Sequence, residues 1–477
     1  MRTDLFVNNE WRPAQSGRRF PVENPATEEI LAEVAEGDAA DVDAAVTAAR
    51  ACFDSDAWKA VSGRARSRML SRAADLLESR LEEFARLETA HNGKTLFESK
   101  IELTMTVQTL RYYAGWADKI TGDTLPSDGP FLIYTLREPV GVVGAIVPWN
   151  FPLNIASWKF APALAAGCTV VLKPASETPL TALLFGEIAI EAGFPPGAFN
   201  VVPGGGATAG AALVRHPGVD KISFTGSTEV GRGIMREAAG SNKRLTLELG
   251  GKSPNIVFAD ADLTAAARGV QTGIFYGKGE VCAAGSRLLV ERGAHDELIA
   301  LLAAGAQKLT PGDPLQKTTR LGALVSKKQQ QTVLRYIEQG KTEGATLVAG
   351  GRAVQPQGKG YFVEATVFDA VTPAMTIARE EIFGPVLAVL TFDDVDHGIQ
   401  LANDTIYGLA AGIWTRDIQK AHRTARAVRA GTVWINTYNF YDPGAAFGGF
   451  KASGFGRDLG RDALDGYLET KTVWVGL

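Results

Sequence analysis

At 477 residues the chain is too long for one hydrophobic core, so two or three domains are expected. Hydrophobic residues make up 45% and charged residues 21%, an ordinary globular balance that argues against disorder. Lys plus Arg number 49 and Asp plus Glu 53, and the resulting net charge of −4 gives no electrostatic reason to seek nucleic acid or an anionic membrane.

Three cysteines, Cys52, Cys168 and Cys282, occur without any C-x-x-C spacing. That usage suits a reducing compartment with neither disulfide framework nor zinc knuckle, and a cytoplasmic location is expected. Met1 to Val7 has no apolar core, so no secretory leader is expected. Phe6 to Trp11 then reads as two short strand pieces around an Asn8-Asn9 turn. Asp38 can cap a helix whose apolar positions Val42, Ala45, Val46, Ala49 and Phe53 follow helical spacing. A longer helix is expected from about Ser62 to Asn92-Gly93, with Leu70, Ala74, Leu77, Leu81, Phe84 and Leu87 inward. Its Arg64, Arg66, Arg68 and Arg72 read as a solvated or subunit-facing surface. A third helix covers roughly Glu98 to Lys119.

Phe131 to Arg137 looks like a strand inserted between helices and the next apolar run. Pro139 to Trp158 carries no charge and is long enough to span a bilayer, but its three prolines and Asn150 and Asn154 argue against a span. A buried strand followed by a polar turn is expected instead. Strands at Val140–Val147, Thr169–Leu172, Phe199–Val202, Lys221–Phe224 and Leu245–Leu247 alternate with helices at about Thr181–Ala192, Ala207–Val214 and Val230–Ala239. Such alternation implies a parallel sheet covered on both faces, with ligands at the carboxyl ends of its strands. A second alternating series from about Asn255 to Asn436 suggests a second α/β domain. Lys471 to Val475 closes the chain as a strand with nothing after it to cover its edge, a situation often managed by pairing.

Several stretches could carry chemistry. Asn150 sits between Pro148 and Pro152, which fix the backbone, and a rigid amide there could donate to a developing oxyanion; a plain turn asparagine is the competing reading. Gly204 to Gly210 superficially resembles a dinucleotide fingerprint. Phe224-Thr225-Gly226-Ser227 fits a phosphate better, because it follows a strand directly and opens a helix. Glu248 ends an apolar strand beside Gly250 and Gly251, where burial would raise its carboxyl towards a general base. Cys282 lies among small residues that leave room for a substrate, although packing is the usual role of an unpaired cysteine. The five histidines are scattered and none follows a nucleophile pattern.

Taken together, these residues resemble the aldehyde dehydrogenase superfamily over nearly the whole chain. The resemblance is carried by Pro148-Trp149-Asn150-Phe151-Pro152, Lys173-Pro174, Phe224 to Ser227, Glu248 to Lys252, Gly279-Glu280-x-Cys282, Glu381 to Pro385, and Gly448 to Arg457, all in the family's order. It implies an α/β fold with a Rossmann-like cofactor domain (1–119 and 140–249), an α/β catalytic domain (250–440) and a small β oligomerisation arm (120–139 and 460–477). Cys282 would be the nucleophile, Glu248 the general base, and Asn150 with the Cys282 backbone N–H the oxyanion hole. Lys173 and Glu381 would hold the two ribose units, Gly226 and Ser227 the pyrophosphate, and Phe383 the nicotinamide, with Pro148, Trp149 and Ser176 completing the NAD or NADP site. No metal is implied.

One position departs from the pattern of many NAD-preferring members: Ser176 stands where they carry a glutamate, with Glu177 one step later. A carboxylate there would repel a 2′-phosphate, so Ser176 leaves NADP possible. By analogy, Phe151, Ile155, Trp158, Val281, Tyr441 and Phe447 would form the substrate funnel. It is apolar and aromatic, which favours neutral aliphatic or aromatic aldehydes over semialdehydes or amino-aldehydes. A CoA-acylating relative, a thiol esterase and a catalytically silent scaffold are the competing readings. The expected partners are a small-molecule aldehyde and further copies of the chain, as a homodimer or homotetramer, with no nucleic acid and no membrane.

Overall fold

Two sheets organise residues 1–477, all of which the structure, a computed structural model, describes. The first contains five parallel strands in the spatial order Phe199–Val201, Thr169–Lys173, Val142–Ile146, Lys221–Thr225 and Arg244–Glu248. The chain winds outward from Val142–Ile146 in both directions, so the turn leaving that strand sits at the topological switch point. Every residue of Val142–Ile146, Thr169–Lys173 and Lys221–Thr225 is buried, as parallel strands covered on both faces require. Antiparallel pieces finish both edges. Leu5–Val7 and Glu10–Arg12 form a hairpin on one side, its turn made by Asn8 and Asn9 at φ 59° and 62°. Gly454–Phe455 pairs with Arg244–Glu248 on the other, which brings part of the expected gap between catalytic domain and arm into the first sheet.

The second sheet orders Thr366–Asp369, Val386–Phe392, Arg287–Glu291, Pro254–Val257, Ala410–Trp414 and Thr432–Ile435 in parallel, with Thr346–Ala349 antiparallel at one edge. The fold is therefore α/β with a Rossmann-like sheet and a second α/β sheet. A third, small sheet pairs the terminal strand Leu468–Gly476 with Phe131–Pro139 of the same chain, and Thr124–Leu125 flanks the latter. Trp474 and Phe131 stay exposed on it, at 62% and 44%.

Two expectations about helices need correction. The helix expected from Ser62 to Asn92 is two, Gly63–Ser79 and Leu81–Asn92, broken at Arg80 (φ −107°, ψ 16°). The apolar spacing runs straight through the break, and no Gly or Pro marks it. Arg80 is held there by Glu83 and Glu187. The second correction is a helix, Pro152–Ala166, where only a polar turn was expected. Pro152 suits its first turn, where no N–H bond is needed, but every residue is buried, so no amphipathic period announces it. No helix of the chain is long and apolar enough to cross a membrane.

Candidate active site

A cleft of about 250 Å³ opens between the two sheets, lined by Pro148, Trp149, Asn150, Thr225, Gly226, Ser227, Leu249, Gly250, Cys282, Gln329, Glu381 and Phe383. Eight of these are residues singled out in the sequence. Thr225, Leu249 and Gly250 lie inside the motifs read from the sequence without a role of their own, and Gln329 lies outside them. A roomier groove of about 870 Å³, lined by Trp58, Arg66, Arg137 and Gly167 among others, contains none of the candidate residues.

The turn from the switch-point strand delivers Asn150, 4% exposed. Its Nδ2 donates to the Glu280 carbonyl at 3.0 Å, and its Oδ1 has no partner. Cys282 is half-buried on the loop before Arg287–Glu291, and its backbone N–H donates to no carbonyl. Burial pushes its thiol up to about 12, assisted by the nearby carboxyls of Glu248 and Glu381. Tyr438, which the sequence pattern does not single out, pins this loop by donating from its hydroxyl to the Ala283 carbonyl at 2.8 Å. Cys52 and Cys168 are buried elsewhere, and burial raises both thiols to about 11.

Glu248 ends the Arg244–Glu248 strand at 3% exposure, and neither carboxyl oxygen has a hydrogen-bond partner. Burial raises its pKa well above the ordinary carboxyl range, and Asp458 raises it further against the pull of Lys159 and Arg457. Asp458 and Lys159 form a buried ion pair at 2.9 Å, 1% and 0% exposed. Room for the Glu248 carboxyl is left by Gly448, where a Cβ would lie 2.7 Å from Oε1.

Ser227 caps the helix Thr228–Ala238, its Oγ accepting from the Val230 N–H at 3.3 Å. Beside it the buried Thr225 Oγ1 has no partner. A glycine turn opening a helix, with an unpartnered hydroxyl alongside, matches what a pyrophosphate needs. Further along the same sheet edge, Lys173 ends its strand and burial lowers it to about 8. Ser176 Oγ donates to the Gly204 carbonyl at 3.2 Å, while Glu177 is exposed. Lys173 and Ser176 thus flank the Gly204–Gly210 turn and do not line the central cleft.

Across the cleft, Glu381 Oε1 accepts from the Gly251 N–H at 3.0 Å, and its carboxyl covers Gly250 so closely that no side chain fits there. Burial raises Glu381 to about 7, opposed by that N–H and by Lys252. Phe383, at φ 57°, meets Trp149 edge-on at 5.2 Å. Gln329 Nε2 donates to the Phe383 carbonyl at 2.7 Å and so holds this loop. Nothing in the Lys327 to Gln331 run marks Gln329 apart from its polar neighbours.

The expected funnel residues come from three segments. Trp158, Tyr441 and Phe447 form an aromatic cluster with centroids 5.5 to 6.3 Å apart, which Trp434 joins 5.6 Å from Tyr441. Cys282 and Tyr438 both act electrostatically on the Tyr441 phenol, on top of its burial. Lys94 Nζ lies 4.6 Å from the Phe151 ring, and Val281 lies over Gly277 of its own loop. Ile155 is buried in the Pro152–Ala166 helix.

A model of the aldehyde dehydrogenase family matches residues 11–473. Aldehyde dehydrogenase 1A1 of Gallus gallus is 51% identical over 479 residues, covering 99% of this chain and 93% of its own. Among solved structures, the NAD+ complex of an aldehyde dehydrogenase from Bacillus cereus is 50% identical at a TM-score of 0.98, covering 100% of this chain and 97% of that one. An indole-3-acetaldehyde dehydrogenase of P. syringae, solved with NAD+ and IAA, is 49% identical at a TM-score of 0.98 and covers 99% and 96%.

Proposed function

The chain belongs to the aldehyde dehydrogenase family and is an NAD-dependent aldehyde dehydrogenase, and from that premise we propose how its residues divide the work. Cys282 is the nucleophile, Asn150 and the Cys282 backbone N–H are the oxyanion donors, and Glu248 is the base. The observation that carries this reading is one cleft with Asn150 and Cys282 on its walls and the unpartnered carboxyl of Glu248 acting on the thiol.

The thiol is held protonated by its surroundings, so losing that proton is part of the cycle and not a resting property of Cys282. The sulfur then bonds to the aldehyde carbon, and the carbonyl electron pair moves to oxygen beside Asn150 Nδ2. NAD or NADP, when bound, supplies the hydride acceptor that oxidises this carbon. Cys282 is left carrying a thioester. Glu248 takes a proton from water, the hydroxide attacks the acyl carbon, and the C–S bond breaks to release the carboxylic acid and the thiolate. Gly226, Ser227 and Thr225 suit the pyrophosphate. Lys173 and Glu381 suit the ribose hydroxyls, Pro148 and Trp149 line the same site, and Phe383 closes it. Ser176 puts no carboxylate beside the adenosine ribose, which leaves both cofactors acceptable.

The aromatic cluster of Trp158, Tyr441 and Phe447 supports neutral aliphatic or aromatic aldehydes, and no arginine stands there to pair a second carboxylate. The P. syringae relative, named for an indole aldehyde, agrees with that preference. Residues 120–139 and 460–477 act as an oligomerisation arm, with exposed Phe131 and Trp474 supporting a homodimer or homotetramer, and the protein works in the cytoplasm. A panel of aliphatic, aromatic, semialdehyde and amino-aldehyde substrates tests this reading, each with NAD and NADP and with and without CoA. Free carboxylic acid from neutral aldehydes, unaffected by CoA and abolished in Cys282→Ala, is expected. An acyl-CoA product would overturn the role given to Glu248.

A further inference from the structure

Behind Asn150 and Cys282 lies a set of buried charges with no part in the reaction steps themselves. Asn150 is fixed through backbone carbonyls: Lys94 Nζ donates to its own carbonyl at 2.6 Å, and Asn92 Nδ2 donates to that of Trp149 at 2.7 Å. Its side-chain Nδ2 reaches the Glu280 carbonyl at 3.0 Å, two residues before the nucleophile. The far side of that contact is held as firmly. Lys278 Nζ donates to Asn92 O at 3.0 Å and to Asn92 Oδ1 at 2.8 Å, and lies 2.8 Å from Glu280 Oε2. The remaining oxygen of Glu280 accepts from the Val325 N–H at 3.1 Å.

Asn92, Lys94, Lys278 and Glu280 are each no more than 1% exposed, so water does not screen these contacts. Lys278 also sits at φ 62°, a left-handed conformation that a non-glycine residue keeps only when its surroundings impose it. Two acceptors on Asn92 and the Glu280 carboxylate hold its ammonium in place. The same asparagine that orders the Trp149 carbonyl therefore anchors the loop that carries the nucleophile.

We infer that Lys278 and Glu280 are positioning residues whose ion pair, anchored on Asn92, sets the separation between the Asn150 amide and Cys282. This rests on the reading of Asn150 as an oxyanion donor. Removing one partner leaves a buried charge that draws the loop towards other groups, whereas replacing both by amides restores neutrality in side chains of similar size.

The test compares the first-turnover rate of cofactor reduction, per titrated active site, in the full-length enzyme and in five variants. They are Asn150→Ala, Lys278→Gln, Glu280→Gln, the Lys278→Gln/Glu280→Gln double, and Glu280→Gln combined with Asn150→Ala. Each single change at the pair is expected to slow the first turnover by about 10²-fold, the loss that a misplacement of about 1 Å brings. Aldehyde KM should stay within about threefold, because ground-state binding is not what the pair serves. The double variant should be faster than either single one, and Glu280→Gln should add nothing once Asn150 is already alanine. If one single variant does not fold, the other carries the comparison with the double. Parent rates in a folded single variant, a double no faster than the singles, or a full further loss on the Asn150→Ala background would overturn the inference. A parent rate in Asn150→Ala would instead overturn the oxyanion reading beneath it.

Discussion

The first sheet furnishes the cleft from the exits of its strands: Asn150 after Val142–Ile146, Gly226 and Ser227 after Lys221–Thr225, and Glu248 at the end of Arg244–Glu248. The second sheet furnishes it from the entrances to its strands: Gly250 before Pro254–Val257, Cys282 before Arg287–Glu291, and Glu381 and Phe383 before Val386–Phe392. A carboxyl edge thus faces an amino edge. The difference is physical. Turns at a carboxyl edge run into helix N-termini, whose free N–H groups make a phosphate site with little further help. Loops entering an amino edge have no such template. Here they are held by strained residues, Lys278 at φ 62° and Phe383 at φ 57°, and by side chains fastened to carbonyls, Tyr438 on Ala283 and Gln329 on Phe383.

Among residues outside the reacting groups, the largest loss of turnover should come where the two amino-edge loops touch. Gly279 has φ +71°, and a Cβ there would collide with the Gly384 carbonyl, so an added methyl group must part the Cys282 loop from the Glu381 loop. Gly279→Ala is expected to cut aldehyde turnover by about 10²-fold or more, and to cost about 1–3 kcal/mol in urea unfolding. An alanine variant with parent turnover would mean that these loops need no such contact.

A smaller effect, in pH and not in loop geometry, should appear at the carboxyl edge. Asp458 helps raise Glu248, and a general base works only when ionised. Asp458→Asn removes the negative neighbour that raises Glu248 and leaves the opposing pull of Lys159, so the Glu248 pKa falls. The acid limb of the kcat profile should move to lower pH, so that activity at pH 6 rises relative to activity at pH 8. Leaving Lys159 buried without its partner should also cost about 3–5 kcal/mol of stability. An acid limb that stays put or moves upward would detach Asp458 from Glu248.

The same contrast explains what the sequence makes legible. Along the first sheet, short apolar strands followed by Gly-Ser or Glu-Leu-Gly turns put Gly226, Ser227 and Glu248 at strand ends, where the fold also has them, and the resemblance supplies their roles. The all-buried helix Pro152–Ala166 leaves no such trace, because a helix apolar on every side has no period to detect. Arg80 breaks its helix without a Gly or Pro to mark the break. Along the second sheet little is local. Cys282 among small residues reads as a packing residue until distant motifs are taken with it, and Gln329, Tyr438 and the Lys278–Glu280 pair act through contacts between segments far apart in sequence. Phe151 and Val281 were expected in the substrate funnel by analogy with the family, and nothing local in the sequence shows which way their side chains face. In the fold, the Lys94 ammonium stands 4.6 Å from the Phe151 ring, and Val281 packs over Gly277 of its own loop.

Whether Glu248 serves water or the thiol step is decided most directly by rapid mixing of Glu248→Gln with aldehyde and saturating NAD. A burst of cofactor reduction near one equivalent per active site is expected, followed by a stall, with an acyl group recoverable on Cys282. Loss of the burst would give Glu248 the thiol step, and that result, or steady turnover at the parent rate with no acyl group on Cys282, would contradict the division of labour between the two residues.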